Sequence, residues 1–245
     1  MQSVIYNDDC FNKFPCIPDK SVQLVCVDLP YEQTKCKWDS CIDLDKMWVE
    51  LKRIGKDNCK YVFFCTTKFG YKLIASNPKW FRYDIVWEKN HSVGFLDCNK
   101  KPLRKHEMIY VFHNDKKPKG FDWIYNPQKT EGKPYKSETG DRQKIYNKTK
   151  SIAIDNKGDR FPVSILNFNN DKAHLHYTQK PIALCEWLIK TYSNEDDLVL
   201  DFTMGSGSSI IACINTNRRY IGIEKDKDIF LTAQKRIEER NDLIN

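Results

Sequence analysis

Two short loops in the sequence carry residues that could do chemistry. The first is Asp28-Leu29-Pro30-Tyr31, which places a carboxylate, a rigid turn and an aromatic ring directly after the apolar run at residues 22–27. A carboxylate can accept hydrogen bonds from a substrate, and the face of an aromatic ring can stack on a planar group. An ordinary Asp/Pro turn with a packed tyrosine explains the same four residues, so this loop by itself leaves both interpretations open.

The second loop follows a short apolar run and leads into a helical pattern, with glycine at positions 205 and 207. Glycines let the backbone approach a ligand closely, and the helix that follows offers unpaired N–H groups. Glu224 ends the next apolar run, 19 residues after Gly205, where a Rossmann-like unit places the acid that binds a ribose. The loop therefore predicts a site for a nucleoside-bearing ligand, although the glycines alone also suit a tight strand-to-helix turn. A phosphate-binding P-loop is disfavoured because Gly207 is followed by Ser208 and not by lysine.

These loops need a scaffold, and the hydrophobic pattern predicts one. Short apolar runs predict strands at residues 22–27, 61–65, 83–87, 108–112, 163–168, 198–200 and 220–223. Longer amphipathic segments predict helices at residues 43–54, 69–76, 180–192, 208–215 and 227–241. This alternation favours a mostly parallel sheet with helices on both faces, whose ligands lie beyond the carboxyl ends of the strands.

The composition predicts one globular domain, residues 1–245, and argues against several other classes of protein. Hydrophobic residues make up 40% of the chain, which suffices for a substantial core and excludes wholesale disorder. The ten cysteines are only about 4% of the residues and lack metal-site spacing, so we expect reduced thiols and no metal. The first residues lack a signal-peptide pattern and no window approaches 18 apolar residues. We therefore expect an intracellular protein that is neither secreted nor embedded in a membrane.

The net charge of +7 comes from the middle of the chain. Residues 89–160 hold 17 Lys and Arg against 9 Asp and Glu, a surplus of +8, and the other 173 residues sum to −1. Aromatic side chains are interleaved with these cations, at Phe95, Phe121, Trp123, Tyr125, Tyr135 and Tyr146. Cations neutralise phosphates and aromatic rings stack on bases, so the segment suits a nucleic acid. A solvated basic loop is the alternative.

Three motifs in a fixed order carry a resemblance to a known family. DLPY comes first, YTQKP follows at residues 177–181, and DFTMGSGS follows at residues 201–208. This arrangement resembles the amino-group DNA methyltransferases of the β arrangement. Their D-P-P-Y motif precedes a basic target-recognition region, a T-x-K-P segment and the D-P-F-x-G-S-G loop that binds S-adenosylmethionine. Further matches are NDDC at residues 7–10, IPDKSV at residues 17–22 and RKHE at residues 104–107, so the resemblance spans nearly the whole chain.

The sequence departs from the family pattern at two places. Leu29 stands where the family usually has proline, which is tolerable because the role inferred for this position belongs to the backbone carbonyl. Phe202-Thr203 stands where Pro-Phe is usual, and this change alters the rigidity of the cofactor loop.

The resemblance implies how the first loop works. The exocyclic amine of adenine or cytosine is a poor nucleophile because its lone pair is delocalised into the ring. The Asp28 carboxylate accepts one N–H and the Leu29 carbonyl accepts the other, which favours a pyramidal nitrogen aimed at the sulfonium methyl. Pro30 shapes the turn, and Tyr31 stacks on a base that has been flipped out of the duplex.

The resemblance also implies a site for S-adenosylmethionine. Asp9 contacts the adenine edge and Glu224 the ribose hydroxyls, while Asp201, Gly205 and Gly207 surround the methionine end. A helix or turn cap is the alternative role for Asp9. The other residues of this site are Thr178, Lys180 and Pro181, which close the pocket, and Phe202, Thr203, Met204, Ser206 and Ser208 of the loop.

We therefore expect a site-specific adenine-N6 DNA methyltransferase with a circularly permuted Rossmann-like α/β fold. Residues 89–160 form its inserted target-recognition region, and the cations expected to contact double-stranded DNA are Lys100, Lys101, Arg104, Lys116, Lys117 and Lys119. Cytosine N4 methylation is the main alternative, since Asp at the head of the loop favours adenine but the split in the family is imperfect. A catalytically silent DNA-binding relative, or methylation of RNA or a small molecule, are further alternatives. The resemblance also allows a homodimer and a cognate restriction endonuclease as partners.

Overall fold

The apolar runs of the sequence become the strands of a central sheet in a computed structural model, which describes residues 2–30, 42–114, 123–138, 153–171 and 179–243. In chain order the strands are β1 (Val4–Asn7), β2 (Val22–Asp28), β3 (Gly55–Cys65), β4 (Phe81–Val93), β5 (Arg104–His113), β6 (Thr130–Glu131), β7 (Tyr135–Glu138), β8 (Ala153–Asn156), β9 (Asp159–Arg160), β10 (Ile165–Asn167), β11 (Leu198–Asp201) and β12 (Arg219–Glu224). Eight of them form one sheet in the order β1-β12-β11-β2-β3-β5-β4-β10.

The sheet is mostly parallel, with an antiparallel segment on one side. β1, β12, β11, β2 and β3 all run in the same direction. β5 is antiparallel to both β3 and β4, and β10 is parallel to β4. The first strand of the chain therefore pairs with the last, and the strand before the Gly-rich loop lies next to the strand that ends at Asp28. This topology confirms the predicted Rossmann-like sheet.

Helices cover both faces of this sheet. They are α1 (Cys10–Lys13), α2 (Leu44–Ile54), α3 (Thr67–Ser76), α4 (Ile182–Tyr192), α5 (Ser208–Asn215) and α6 (Lys227–Asp242). Alternate residues of β2 enter opposite cores, because successive side chains of a strand point to opposite faces. Val25 and Val27 pack with the residues of α2, whereas Leu24 and Cys26 pack with those of α4. Burial on both faces explains why β2 is a nearly continuous apolar run.

The structure differs from the prediction mainly at element boundaries. β1 and α1 have no strong hydrophobic pattern, because β1 is a four-residue edge strand that is only partly buried and α1 is a single turn. The predicted helix at residues 180–192 begins at Ile182, because Pro181 has extended backbone dihedrals and forms the N-cap. The eight cysteines among the described residues carry free thiols. Within the described ranges, no helix is both long enough and apolar enough to cross a membrane.

The described residues divide into two compact units. The first comprises residues 1–126 and 164–245, and the second comprises residues 127–163. The second unit contains the antiparallel pairs β6–β9 and β7–β8. Its boundaries differ from those of the predicted insert at residues 89–160, because β5 belongs to the central sheet, where Ile109 and Val111 are fully buried. That residues 89–160 recognise DNA remains a prediction.

Candidate active site at the carboxyl edge of the sheet

The loop that begins at Asp28 and the Gly-rich loop meet at the carboxyl edge of the sheet. β2 ends at Asp28 and the neighbouring parallel strand β11 ends at Asp201, so the two loops leave the sheet side by side. The hydroxyl of Thr203 donates a hydrogen bond of 3.0 Å to the backbone carbonyl of Asp28. Leu29 is buried, with 2% of its surface exposed. Thr203, at one of the two departures from the family pattern, thus links the loops directly.

Asp28 is held by a lysine from a distant part of the chain. The ammonium of Lys180, two residues before α4, contacts the Asp28 carboxylate. The same ammonium lies 3.4 Å from Oε2 of Glu107 in β5, and Oε1 of Glu107 contacts the ammonium of Lys89 in β4. The sequence predicted that Lys180 helps to close the cofactor pocket, and the structure brings its charged end to Asp28.

Electrostatics keep this cluster ionised despite its burial. Burial alone would lower the pKa of Lys180, but the negative charges of Asp28 and Glu107 outweigh it and raise that pKa above its usual value. Burial alone would raise the pKa of Glu107, yet the ammonium groups of Lys180 and Lys89 hold it below its usual value. The cluster is therefore an alternation of positive and negative charges.

Backbone geometry leaves the Gly-rich loop open above Gly205. Gly205 and Gly207 have φ angles of 53° and 83°, in the left-handed region that favours glycine. A Cβ built on Gly205 would meet no atom within 4 Å, whereas a Cβ on Gly207 would lie 3.3 Å from the Ala233 side chain. Position 205 therefore offers space for a ligand, and glycine at position 207 serves the contact with α6.

Glu224 fastens this loop to the neighbouring strand. One oxygen of its carboxylate accepts a 3.0 Å hydrogen bond from the Gly205 N–H, and the other accepts a 2.8 Å bond from the Asp226 N–H. Burial raises the pKa of Glu224 above its usual value. The carboxylate thus lies beside the open position at Gly205, where the sequence predicts a contact with a ribose.

The buried carboxylate of Asp201 holds the Gly-rich loop through hydrogen bonds. Its carboxylate, only 5% exposed, accepts a 3.1 Å hydrogen bond from the Thr203 N–H and contacts the Ser209 hydroxyl. Burial raises the pKa of Asp201 to about 7. These bonds show a role in the shape of the loop, and the predicted contact with the methionine end of the cofactor remains a prediction.

Asp9 adopts the capping role that the sequence left open. Its side chain accepts a 3.0 Å hydrogen bond from the Phe11 N–H and caps α1. It also forms a 2.9 Å ion pair with Lys225, which directly follows Glu224. The first turn of the chain is thereby joined to the end of β12, and a contact between Asp9 and an adenine edge remains a prediction.

The other predicted cofactor residues in the described part of the chain are buried, and their contacts with a cofactor remain a prediction. Phe202 and Met204 lie in hydrophobic cores, Ser206 and Ser208 are buried, and Pro181 caps α4. The Ser208 hydroxyl is buried and has no hydrogen-bond partner among the described residues. Tyr31 and Thr178 lie outside the described residues.

The predicted DNA-binding cations differ in their surroundings. Lys100 and Lys101 lie between β4 and β5 with 81% and 64% of their side chains exposed, next to Asp97. Arg104 is less exposed, its Nε donates a 2.9 Å hydrogen bond to the carbonyl of His106, and its buried Nη2 has no partner among the described residues. Lys116, Lys117 and Lys119 lie outside the described residues.

The sequence interpretation did not assign a role to Glu107 or Lys89. Glu107 belongs to the RKHE match, which gave no reason to connect it with Asp28. The registers Asp28↔Phe64 and Phe64↔Ile109 bring Glu107 to the same edge of the sheet as Asp28. Among the described residues, no group of three His, Cys, Asp or Glu side chains is arranged to hold a metal ion.

Comparisons with known proteins identify the family of this chain. Residues 22–235 match the family model N6_N4_Mtase, which is described as DNA methylase. Type II methyltransferase M1.MboII of Moraxella bovis is 27% identical over 91% of this chain and 92% of its own length. Type II methyltransferase M.HinfI of Haemophilus influenzae is 27% identical over 97% of this chain and 68% of its own length.

Solved structures share the fold. The crystal structure of an M1.HpyAVI-SAM complex covers 95% of this chain and 97% of its own chain at 20% identity, with a TM-score of 0.62. The cytosine-N4-specific PvuII DNA methyltransferase covers 99% of this chain and 91% of its own chain at 14% identity, with a TM-score of 0.68. The match of the family model over most of the chain is decisive: this protein belongs to the N6_N4_Mtase family of DNA methylases, as the resemblance of its motifs predicted.

Proposed function

We propose that this chain transfers a methyl group from S-adenosylmethionine to the exocyclic N6 of adenine in double-stranded DNA. The observation that carries the proposal is the bond between Thr203 and the Asp28 carbonyl, which holds the predicted acceptor of the target amine beside the Gly-rich loop. Transfer to an amine requires these two features to be neighbours, because the nucleophile and the methyl donor must meet in line.

The residues of the Gly-rich loop fit S-adenosylmethionine. The open position at Gly205 admits a ligand close to the backbone, and the Glu224 carboxylate lies beside it as an acceptor for ribose hydroxyls. M1.HpyAVI, which has the same fold, has been crystallised as a SAM complex. S-adenosylmethionine supplies an activated methyl group on sulfur, so the protein has to contribute position and hydrogen bonds.

The chain's own part in the reaction lies with Asp28 and Leu29. The Asp28 carboxylate accepts one N–H of the target amine and the Leu29 carbonyl accepts the other, which localises the nitrogen lone pair. The burial of the Leu29 side chain supports a fixed backbone at this position. Hydrogen bonds of this kind, placed in advance, are typically worth about 10² to 10³ in rate.

The target base has to leave the duplex to reach this loop, which costs a few kcal/mol. We propose that Tyr31 stacks on the flipped base, an interaction worth roughly 1 to 3 kcal/mol. The basic residues within 89–160 hold the phosphates of the surrounding duplex. Because the similar relatives are Type II methyltransferases, we further propose that the protein acts in a restriction-modification system with a cognate endonuclease.

Cytosine N4 is the second candidate for the target atom. It is favoured by one observation, the shared fold of the cytosine-N4-specific PvuII enzyme. Asp28 at the head of the catalytic loop favours adenine, since serine heads this motif more often in cytosine N4 enzymes. Both amines present two N–H groups, so Asp28 and Leu29 would serve either base in the same way.

The test is to incubate the protein with S-adenosylmethionine and unmethylated duplex DNA, and then to identify the modified nucleosides by mass spectrometry. We expect N6-methyladenine, and sequencing with modification detection then gives the recognised motif. N4-methylcytosine would establish the second candidate. Parallel reactions with duplex RNA test the nucleic acid, and the absence of any methylated base in DNA would refute the proposal.

A further inference from the structure

We propose that Lys180 and Glu107 are positioning residues for methyl transfer, and that Lys89, Glu107 and Lys180 form a buried chain that orients the Asp28 carboxylate toward the target amine. This inference rests on the proposed function, because it takes Asp28 as the acceptor of the amine hydrogen. It gives Lys180 a role beyond the predicted cofactor pocket, and it adds Glu107 and Lys89, to which the motifs assigned no role.

The chain of charges joins four separate parts of the fold. Asp28 ends β2, Glu107 lies in β5, Lys89 lies in β4 and Lys180 precedes α4. Lys180 contacts Asp28 and lies 3.4 Å from Glu107, which in turn contacts Lys89. The antiparallel register of β4 with β5, in which Trp87 pairs with Glu107, brings Lys89 and Glu107 to the carboxyl edge of the sheet.

Burial makes this cluster rigid. The side chains of Lys180, Glu107 and Lys89 are only 10%, 17% and 17% exposed. The Lys180 ammonium also lies 5.3 Å from the centre of the Phe64 ring, and that of Lys89 lies 4.9 Å from the Trp87 ring. Buried charges are costly unless they are paired, so each member constrains its neighbours.

The alternation of charge explains why all members are needed. Lys89 and Lys180 are positive, and Glu107 and Asp28 are negative, so the cluster is neutral as a whole. Without Glu107, Lys89 would lose the carboxylate that it contacts, and Lys180 would retain only Asp28. Without Lys180, Asp28 would lose the cation that contacts it, and Glu107 would retain only Lys89.

The contact with Lys180 determines the direction in which the Asp28 carboxylate points. An ammonium has donors and no acceptor, so Lys180 cannot compete with Asp28 for the amine hydrogen. Its contact holds the carboxylate, and the Thr203 hydroxyl holds the backbone carbonyl of the same residue. A fixed acceptor loses little entropy when the base arrives, and a displacement of about 1 Å can cost 10²-fold in rate.

Three variants test this arrangement: Lys180→Met, Glu107→Gln and the double variant that combines them. We expect kcat to fall about 10²-fold for Lys180→Met and about 10-fold or more for Glu107→Gln, whereas the KM for S-adenosylmethionine and the Kd for DNA stay within about threefold. Lys190→Met is the matched control, because Lys190 is exposed at the end of α4, and its kcat should equal that of the wild type.

The double variant separates positioning from a general structural role. If Glu107 acts through Lys180, Glu107→Gln should cause no further loss of kcat in the Lys180→Met background. The double variant restores the net charge of the cluster to zero, and circular dichroism of all three variants identifies the folded samples whose kcat values are compared. If the fold losses of kcat in the two single variants multiply in the double variant, or if KM and Kd rise in parallel, the cluster only supports the fold.

The outcomes also separate this inference from the proposed function. A wild-type protein that methylates no base in DNA refutes the proposed function. A wild type that is active and is inactivated by Asp28→Asn, with single variants of Lys180 and Glu107 within threefold of its kcat, refutes the positioning chain alone.

Discussion

Two aspartates end neighbouring strands of the sheet, and their surroundings are opposite in kind. Asp28 ends β2 with a lysine ammonium against its carboxylate. Asp201 ends β11, where its partners among the described residues are the uncharged Thr203 N–H and Ser209 hydroxyl. Burial without a cation raises the pKa of Asp201 to about 7, whereas Asp28 has the ammonium of Lys180 to stabilise its charge.

The different surroundings of Asp28 and Asp201 suit two different tasks, which the sequence pattern does not distinguish. An acceptor for a substrate N–H has to be charged and partly accessible, and a cation beside it stabilises that charge. A residue that shapes a loop can be fully enclosed, because two donors satisfy it and no substrate has to reach it. The same residue type at equivalent strand ends therefore fits the proposed contact with the substrate in one case and holds the backbone in the other.

The largest expected effect comes from removing the acceptor. Asp28→Ala should lower the rate of methyl transfer by at least about 10³-fold, because the target amine loses a charged hydrogen-bond partner. The affinity for S-adenosylmethionine should stay within about threefold, since its predicted contacts lie elsewhere. Transfer of labelled methyl groups and calorimetry measure the two quantities. Asp45→Ala on the exposed side of α2 is the matched control, and full activity of Asp28→Ala would exclude Asp28 from the mechanism.

The second prediction concerns the protonation of Asp201. Its pKa of about 7 in the folded protein exceeds the value of 3.8 expected for an exposed aspartate, so the folded state binds the proton more tightly. The contribution of this group to stability is therefore greatest below pH 4, falls as the pH rises to about 7 and is constant above. A shift of this size corresponds to roughly 4 kcal/mol as an upper order of magnitude.

Asp201→Asn isolates this contribution. The difference in the free energy of unfolding between wild type and variant, measured by urea denaturation from pH 5 to pH 8, should shift against the wild type as the pH rises. Other titrating groups are common to both proteins and cancel in the difference. A difference that is independent of pH would mean that Asp201 is ionised in the folded protein throughout this range.

The third prediction concerns the open position in the Gly-rich loop. Gly205→Val should raise the Kd for S-adenosylmethionine at least about tenfold, because the side chain fills space next to a backbone that the ligand approaches. Gly94→Val is the matched control, since Gly94 also has a positive φ, 94°, with no atom within 4 Å of an added Cβ. Calorimetry on both folded variants separates ligand space from backbone strain, and equal losses would place the cofactor elsewhere.

The smallest effects are expected on the DNA-binding side. Lys100→Glu and Lys101→Glu together should raise the Kd for duplex DNA several-fold and reduce the slope of log K against log salt by up to about 0.9 for each phosphate that is no longer neutralised. The affinity for S-adenosylmethionine should not change. Lys235→Glu is the control, because Lys235 is 77% exposed on α6, outside residues 89–160. If affinity and salt slope persist in the double variant, these two lysines form only a solvated surface.

Much of this protein follows from its sequence alone. Continuous apolar runs determine the strands around Asp28 and Asp201, because a strand buried on both faces needs apolar residues on each. Glycines at 205 and 207 determine an open turn, and the order of the motifs led to the family that residues 22–235 match. These features are local, since each depends on a few consecutive residues or on their order along the chain.

The tertiary structure decided which charges meet. Lys180 and Asp28 are 152 positions apart, and their contact depends on the fold of the whole chain. The antiparallel pairing of β5 with β3 and β4 brings Glu107 to the same edge of the sheet. The ion pair of Asp9 with Lys225 likewise required β1 to lie beside β12. Ion pairs leave no periodic pattern in a sequence, because any lysine can pair with any carboxylate that the fold brings within reach.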